Sequence, residues 1–245
     1  MKADPKVQRR LLDLQAIDTT LAQLAHRRRS LPERAELEAL ARELSALEDE
    51  RVRAQVAVDD LDRDIARLEK DVDQVRARKS KDEARLASGS GPARELEALQ
   101  HELVSLNRRQ SDLEDAELEL MEQRETAQGV LDGIEGRIAE ARERRTAAEQ
   151  RRDDALAEIA KEEEFKRTSR QPLAGDLPAD LVTLYDKIRE DTGLGAALLT
   201  AGRCGGCRLE LSGADLARIR KADPDDVVRC EECRRIMVRT NESGL

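Results

Sequence analysis

From Leu37 onward, apolar residues recur at alternating spacings of three and four. The series runs Leu37, Leu40, Leu44, Leu47, then Arg51 and Ala54, then Val58, Leu61, Ile65, Leu68, Val72 and Val75, with one polar position inside it. A mean period of 3.5 residues marks a helix that winds left-handedly against a partner. A second series has the same stepping: Leu96, Leu99, Leu103, Leu106, Gln110, Leu113, Glu117, Leu120, Arg124, Ala127, Leu131, Ile134 and Ile138. Between them lies Ala87-Ser88-Gly89-Ser90-Gly91-Pro92, which breaks both helices and places a proline where the first turn of the next helix accepts one. A connection this short makes long helices antiparallel neighbours. The pattern therefore predicts a coiled-coil hairpin over residues 1–170, its arms spanning about 5–87 and 93–166 and its turn about 87–92.

Three irregularities interrupt the hairpin. Val7, Leu14, Leu21 and Leu24 are out of register with Leu37, so a kink or break is expected near Ser30–Pro32. Gly129, Gly133 and Gly136 fall inside the second arm, each costing about 1 kcal/mol relative to Ala; close helix packing, tolerated weakness or a hinge would each account for them. Gln110, Glu117 and Arg124 at seam positions weaken the coil and restrict its register.

Periodicity fades after Phe165. Residues 171–192 are expected to form a linker through Pro172, Gly175 and Pro178, then a short helix to about Glu190. The last segment, 193–245, mixes short apolar alternations at Ala196–Thr200, Leu209–Leu211, Val227–Arg229 and Arg235–Arg239 with a helix after Ser212, a capping residue. The expected fold class is mainly α: a long antiparallel helical hairpin plus a small C-terminal α+β module.

Composition agrees with an elongated chain. Of 245 residues 40% are charged, with one Phe, one Tyr and no Trp, too few aromatics for a large globular core. No apolar run approaches a membrane span and the N-terminus lacks a signal-peptide core, so a cytoplasmic protein is expected. The net charge is −9, and residues 201–245 carry nine Lys/Arg against eight Asp/Glu, so neither part has the bulk basicity of a nucleic-acid module.

The chemistry that can be named lies in four cysteines, Cys204-Gly205-Gly206-Cys207 and Cys230-Glu231-Glu232-Cys233. Two C-x-x-C turns at this separation match one tetrahedral Zn²⁺. Four thiolates leave no open coordination position, so the ion would be structural, stabilising a module too small to hold itself together. Redox dithiols or disulfides are the other readings, but no thioredoxin-like βαβ pattern surrounds the pairs. His26 and His101 are isolated on charged helices, and no catalytic constellation is identifiable, so no enzyme is expected. Tyr185 and Phe165 are expected to pack the joint between coil and ribbon.

A further candidate surface is the turn of the hairpin, where Arg76, Arg78, Lys79, Lys81, Arg85 and Arg94 face only Asp82 and Glu83. They would dock an acidic or phosphate-bearing surface, or simply keep a bare tip solvated. The ribbon arginines (Arg203, Arg208, Arg218, Arg220, Arg229, Arg234, Arg235 and Arg239) offer phosphate contacts, though without aromatics for base stacking.

The segment Arg94–Glu102, the stretch Gly193–Leu199 and the two knuckles together resemble the bacterial four-cysteine zinc-ribbon proteins with an N-terminal hairpin coiled coil. The resemblance covers nearly the whole chain and implies Cys204, Cys207, Cys230 and Cys233 as ligands of one Zn²⁺, with the ribbon at the open end of the hairpin. It also implies partners of the kind associated with some members: an alternative sigma factor, messenger RNA or secretion components. One departure is Arg234, where the second knuckle often continues with Gly; Arg must tolerate any positive φ there. The expectation is a non-catalytic adaptor with protein partners, with nucleic-acid binding as the alternative and neither membrane nor small-molecule substrate. The sequence does not specify an oligomeric state, although Val52 and Val56 beside the seam could pair with a second molecule.

Overall fold

The computed structural model describes residues Met1–Leu245. The chain divides into two compact units, residues 35–149 and residues 1–34 with 150–245.

The unit of residues 35–149 is an antiparallel helical pair. It contains most of α2 (Pro32–Ala87) and the first part of α3 (Ala93–Gly175). Every expected seam position from Leu37 to Val75 and from Leu96 to Ile138 is buried or half-buried, and the positions between them are mostly exposed. Leu47, Ile134, Ile138 and Ala141 form the tightest stretch. Cross-arm ion pairs fix the register: Arg76–Glu114 at 2.7 Å, Arg124–Asp62 at 3.0 Å, Arg137–Glu50 at 3.2 Å and Arg144–Glu43 at 2.6 Å. Arg124 therefore keeps its aliphatic stem at the seam and sends its charge to the rim. The turn reverses at Gly89 and Gly91, with φ of 60° and 146°. Gly129, Gly133 and Gly136 have open space where a side chain would stand, so close packing within the chain does not explain them.

The other unit begins with α1 (Pro5–Arg29), capped by the Asp4 carboxylate, which accepts from the Lys6 amide at 2.7 Å. The helix stops at Ser30, as the change of phase at Pro32 predicts, and Leu31 packs with Leu24 and Ile159. Helix α4 (Ala179–Thr192) ends on Gly193 in the left-handed conformation. Strands β1 (Ala196–Thr200), β2 (Arg203–Cys204), β3 (Val228–Arg229) and β4 (Ile236–Val238), with α5 (Gly213–Lys221), complete the unit. The sheet order is β2-β1-β4-β3, with β1 and β4 parallel and the outer pairs antiparallel. Alternation along β4 serves two cores. Ile236 and Val238 join Leu11, Leu14, Leu181 and Tyr185 under α1 and α4, while Met237 joins Leu199, Ile219, Cys204 and Cys230.

Two expectations fail here. The segment read as a linker from Arg170 is helical through Gly175, with Pro172 inside α3. Leu173 and Ala174 pack on the core and Arg170 is anchored by Asp18 and Asp186, which offsets the amide lost at the proline. Phe165 does not pack the joint: it is 67% exposed, because the buried stripe of α3 runs through Ile159 and Glu163 and passes it by. The Leu209–Leu211 alternation forms one isolated bridge, Arg203 to Glu210, not a strand.

Candidate metal centre

Both knuckles are built alike. In each, the amide of the residue after the second cysteine donates to the carbonyl of the first: Arg208 to Cys204 at 2.7 Å, Arg234 to Cys230 at 2.9 Å. The first cysteine's amide then donates to the residue five positions on, Leu209 or Arg235, at 3.0 Å in both cases. Closing the turn this way puts Arg208 and Arg234 at φ of 64° and 60°. The position where glycine is often found is thus left-handed in both knuckles, and arginine accepts the strain, of order 1 kcal/mol or more. Gly205 and Gly206 are required for a different reason. A Cβ on Gly205 would lie 2.8 Å from the Leu198 carbonyl oxygen, and one on Gly206 would lie 2.6 Å from Cδ of Arg235.

The four sulfurs converge, with every Sγ within 4.8 Å of the others. Two approaches cross between knuckles: Cys204 to Cys233 at 3.8 Å and Cys207 to Cys230 at 3.9 Å. Sulfurs 2.3 Å from one tetrahedral ion stand about 3.8 Å apart. The donor set therefore fits Zn²⁺ in spacing as well as chemistry. Cys204 and Cys230 are buried and Cys207 and Cys233 half-buried, so each knuckle contributes one buried and one half-buried cysteine.

Without a cation, the two buried thiols, Cys204 and Cys230, resist ionisation. Burial pushes the Cys230 thiol up to about 12, against the backbone amides of Cys233 and Glu232, which favour the thiolate. Burial likewise raises Cys204, opposed by the amides of Cys207 and Gly206. At Cys233 burial also acts upward, but the Arg235 amide and the neighbouring thiols outweigh it and the net direction is down. The amides are thus already aimed at the thiolates a metal would require.

The arginines of the ribbon separate into two groups. Arg239 donates to five backbone carbonyls, those of Ile219, Ala222, Asp223, Pro224 and Asp226, at 2.7–3.4 Å. Arg235 donates to the Thr192 carbonyl at 2.7 Å. Arg203 faces Glu210, and Arg218 faces Asp215 and Glu231. Arg208, Arg220, Arg229 and Arg234 are exposed. At the hairpin turn, Arg76 is held by Glu114, Arg78 by Glu102 and Lys79 by Gln110, whereas Lys81, Arg85 and Arg94 are exposed. His26 and His101 are exposed.

Sequence reasoning missed a buried ionic cluster. Asp18, 2% exposed, accepts two bonds from Arg170 at 2.7 and 3.2 Å and one from the Tyr185 hydroxyl at 2.8 Å. Asp186 completes it, 2.6 Å from Arg170 and 3.3 Å from Arg189. Burial, then the Asp18 carboxylate, holds the Tyr185 phenol above its ordinary range. The available signal was polar residues, Gln15 and Asp18, on the same face of α1 as Leu11 and Leu14.

Comparison with known proteins agrees with this geometry. Residues 14–193 match the CT398-like coiled coil hairpin domain, and residues 203–237 match a C4-type zinc ribbon domain. The chain is 40% identical to an uncharacterised protein of Mycobacterium tuberculosis, over 98% of each chain. A solved structure from Mycobacterium smegmatis is 38% identical, with a TM-score of 0.86 over 98% of this chain and 100% of that one. The structure of CT398 from Chlamydia trachomatis, at 19% identity, shares the fold, with a TM-score of 0.65 over 95% and 97% of the two chains. No helix is long and apolar enough to cross a membrane.

Proposed function

The chain belongs to the CT398-like coiled-coil hairpin family with a C4-type zinc ribbon, and from that premise we propose that it is a non-catalytic adaptor. One structural Zn²⁺ is held by Cys204, Cys207, Cys230 and Cys233. The ion ties β2 to the segment after β3 and leaves no open position for substrate. The partners are macromolecules, engaged through the hairpin turn and the ribbon in the cytoplasm, and belong to the transcription or secretion machinery. The observation that carries this reading is the pattern of cation use. The arginines nearest the frame of each unit are spent on internal acceptors, whereas Lys81, Arg85 and Arg94 at the turn stay exposed. An acidic protein surface is the complementary partner.

Nucleic acid is the second reading, supported by the exposed Arg208, Arg220, Arg229 and Arg234. Affinity capture of the zinc-loaded full chain from native lysate, with and without nuclease, separates the two. The adaptor reading expects nuclease-resistant protein partners that are lost when Lys81, Arg85 and Arg94 are all changed to Glu. Partners that vanish with nuclease, together with binding that weakens steeply with salt, would establish phosphate recognition instead.

A further inference from the structure

A cleft of about 340 Å³ opens in the unit of residues 1–34 and 150–245, between the start of α1, the end of α5 and the C-terminal residues. Its charged side chains are Arg9, Arg220 and Arg239, and no Asp or Glu side chain lines it. In a chain of net charge −9 with 53 acidic residues, three arginines around one cleft without an acidic side chain is a marked local excess. Gln8, Thr240 and Asn241 add amide and hydroxyl groups, and Ile219 and Pro224 give an apolar wall. Leu245 also lines the cleft.

The three guanidiniums have distinct roles. Arg239 spends its donors on the five carbonyls of residues 219–226 and so contributes fixed positive charge with a rigid frame. Gln8, 2% exposed, pins the same loop to α1 by donating to the carbonyls of Ala3 and Pro224, at 2.8 and 3.2 Å. Arg9 and Arg220 are exposed and no acidic side chain lines this cleft, although Arg9 also borders a neighbouring one lined by Asp13 and Glu242. A planar guanidinium matches a phosphate or carboxylate through paired N–H donors. Two available forks beside a fixed positive charge favour the more highly charged of these anions. The volume lies at the lower end of the range for small-molecule sites, which suits a single phosphorylated metabolite with an apolar or aromatic body.

We propose that this cleft binds a small phosphomonoester, of mononucleotide size, as an effector that is bound and not transformed. Arg9 and Arg220 grip the phosphate, and Thr240 and Asn241 contact the polar edge of the body. The site does not involve Lys81, Arg85 or Arg94 at the turn, and it shares Arg220 with the nucleic-acid reading above.

The test uses the full zinc-loaded chain in low-salt buffer, with adenosine monophosphate and inorganic phosphate as probes in titration calorimetry. Saturable one-to-one binding of the mononucleotide is expected, with competition by inorganic phosphate. Arg9→Gln combined with Arg220→Gln should weaken it at least tenfold while leaving the thermal midpoint unchanged, since both side chains are exposed. Arg203→Gln, outside the cleft, should leave binding unaltered. The proposal is overturned if neither probe binds at millimolar concentration, or if the double variant binds as tightly as the parent. It is equally overturned if only a long oligoribonucleotide binds, because that would make the cleft part of an extended surface.

Discussion

Removing the Asp18 carboxylate should destabilise the unit that carries the ribbon far more than removing an exposed acid from the same helix. Asp18 sits on α1 at 2% exposure and takes three hydrogen bonds, two from Arg170 and one from the Tyr185 hydroxyl. Breaking a buried ion pair by deleting one partner costs about 3–5 kcal/mol. The lower end applies here. The Arg170 and Arg189 side chains are 23% and 33% exposed and both keep Asp186, so neither cation is left without solvation or partner. A loss of about 3 kcal/mol, at a urea m-value of about 1–3 kcal/mol per molar, lowers the midpoint by about 1–3 M. Tyr185 supplies the assay. It is the chain's only tyrosine and there is no tryptophan, so tyrosine emission reports this core without signal from residues 35–149. The comparison is Asp18→Ala against Asp13→Ala, which changes an exposed position on α1 and should stay within about 0.5 kcal/mol of the parent. Midpoints are compared and not amplitudes, because the Asp18 bond itself alters emission. Equal midpoints for the two variants would refute the idea that this cluster holds α1, α3 and α4 together.

The same urea titration applies to Gly195→Ala, whose new Cβ would lie 2.5–2.6 Å from ring carbons and the backbone carbonyl of Tyr185. Overpacking of this kind costs about 1–3 kcal/mol, and an unchanged midpoint would show that α4 can shift freely. Stripping metal with a chelator should abolish hydrogen-exchange protection around Leu199, Ile219 and Met237 and leave the seam from Leu40 to Val72 protected. Ribbon protection that survives metal removal would mean the thiols need no ion to hold this fold. For Tyr185 the native phenol keeps its proton above pH values at which the unfolded one, near pH 10, loses it. Its contribution to stability is therefore complete below about pH 10 and is lost as pH rises beyond that. The urea midpoint followed by circular dichroism should fall between pH 9 and 11 in the parent and less in Tyr185→Phe; parallel slopes would contradict this.

The hairpin was legible because its information is periodic and local. Leu40, Leu44, Leu47 and the seam residues after them step alternately by four and three, and a Gly-Ser-Gly-Pro reversal between two such series makes the arms antiparallel neighbours. The metal centre was legible because four thiols in two turns suit few ions. What sequence did not reveal were the close approaches. Gly205 and Gly206 look alike as spacers, yet one is required by the Leu198 carbonyl and the other by the Arg235 side chain. Pro172 signals a helix end, and only the packing of Leu173 and Ala174 together with the anchoring of Arg170 carries α3 past it. Phe165 reads as a residue of the joint between coil and ribbon, although its position relative to Ile159 and Glu163 puts it on the other side of the helix.

The ribbon arginines show why charge counting misjudges such a module. Nine basic residues against eight acidic ones suggest an electrostatically bland surface. In the fold, Arg239 disappears into a ring of five carbonyls and Arg235 into the Thr192 carbonyl. Arg208 and Arg234, which occupy equivalent left-handed positions after the two knuckles, remain outward. Glycine would relieve the φ strain at both positions without disturbing either closing hydrogen bond, because those bonds use backbone atoms only. Retaining arginine at a strained site, where its side chain reaches no internal acceptor, makes sense if the side chain faces something outside the chain. Replacing both with Gly should therefore hold or raise ribbon stability while weakening whatever binds there. Lowered stability with binding intact would place the two side chains among the structural arginines instead.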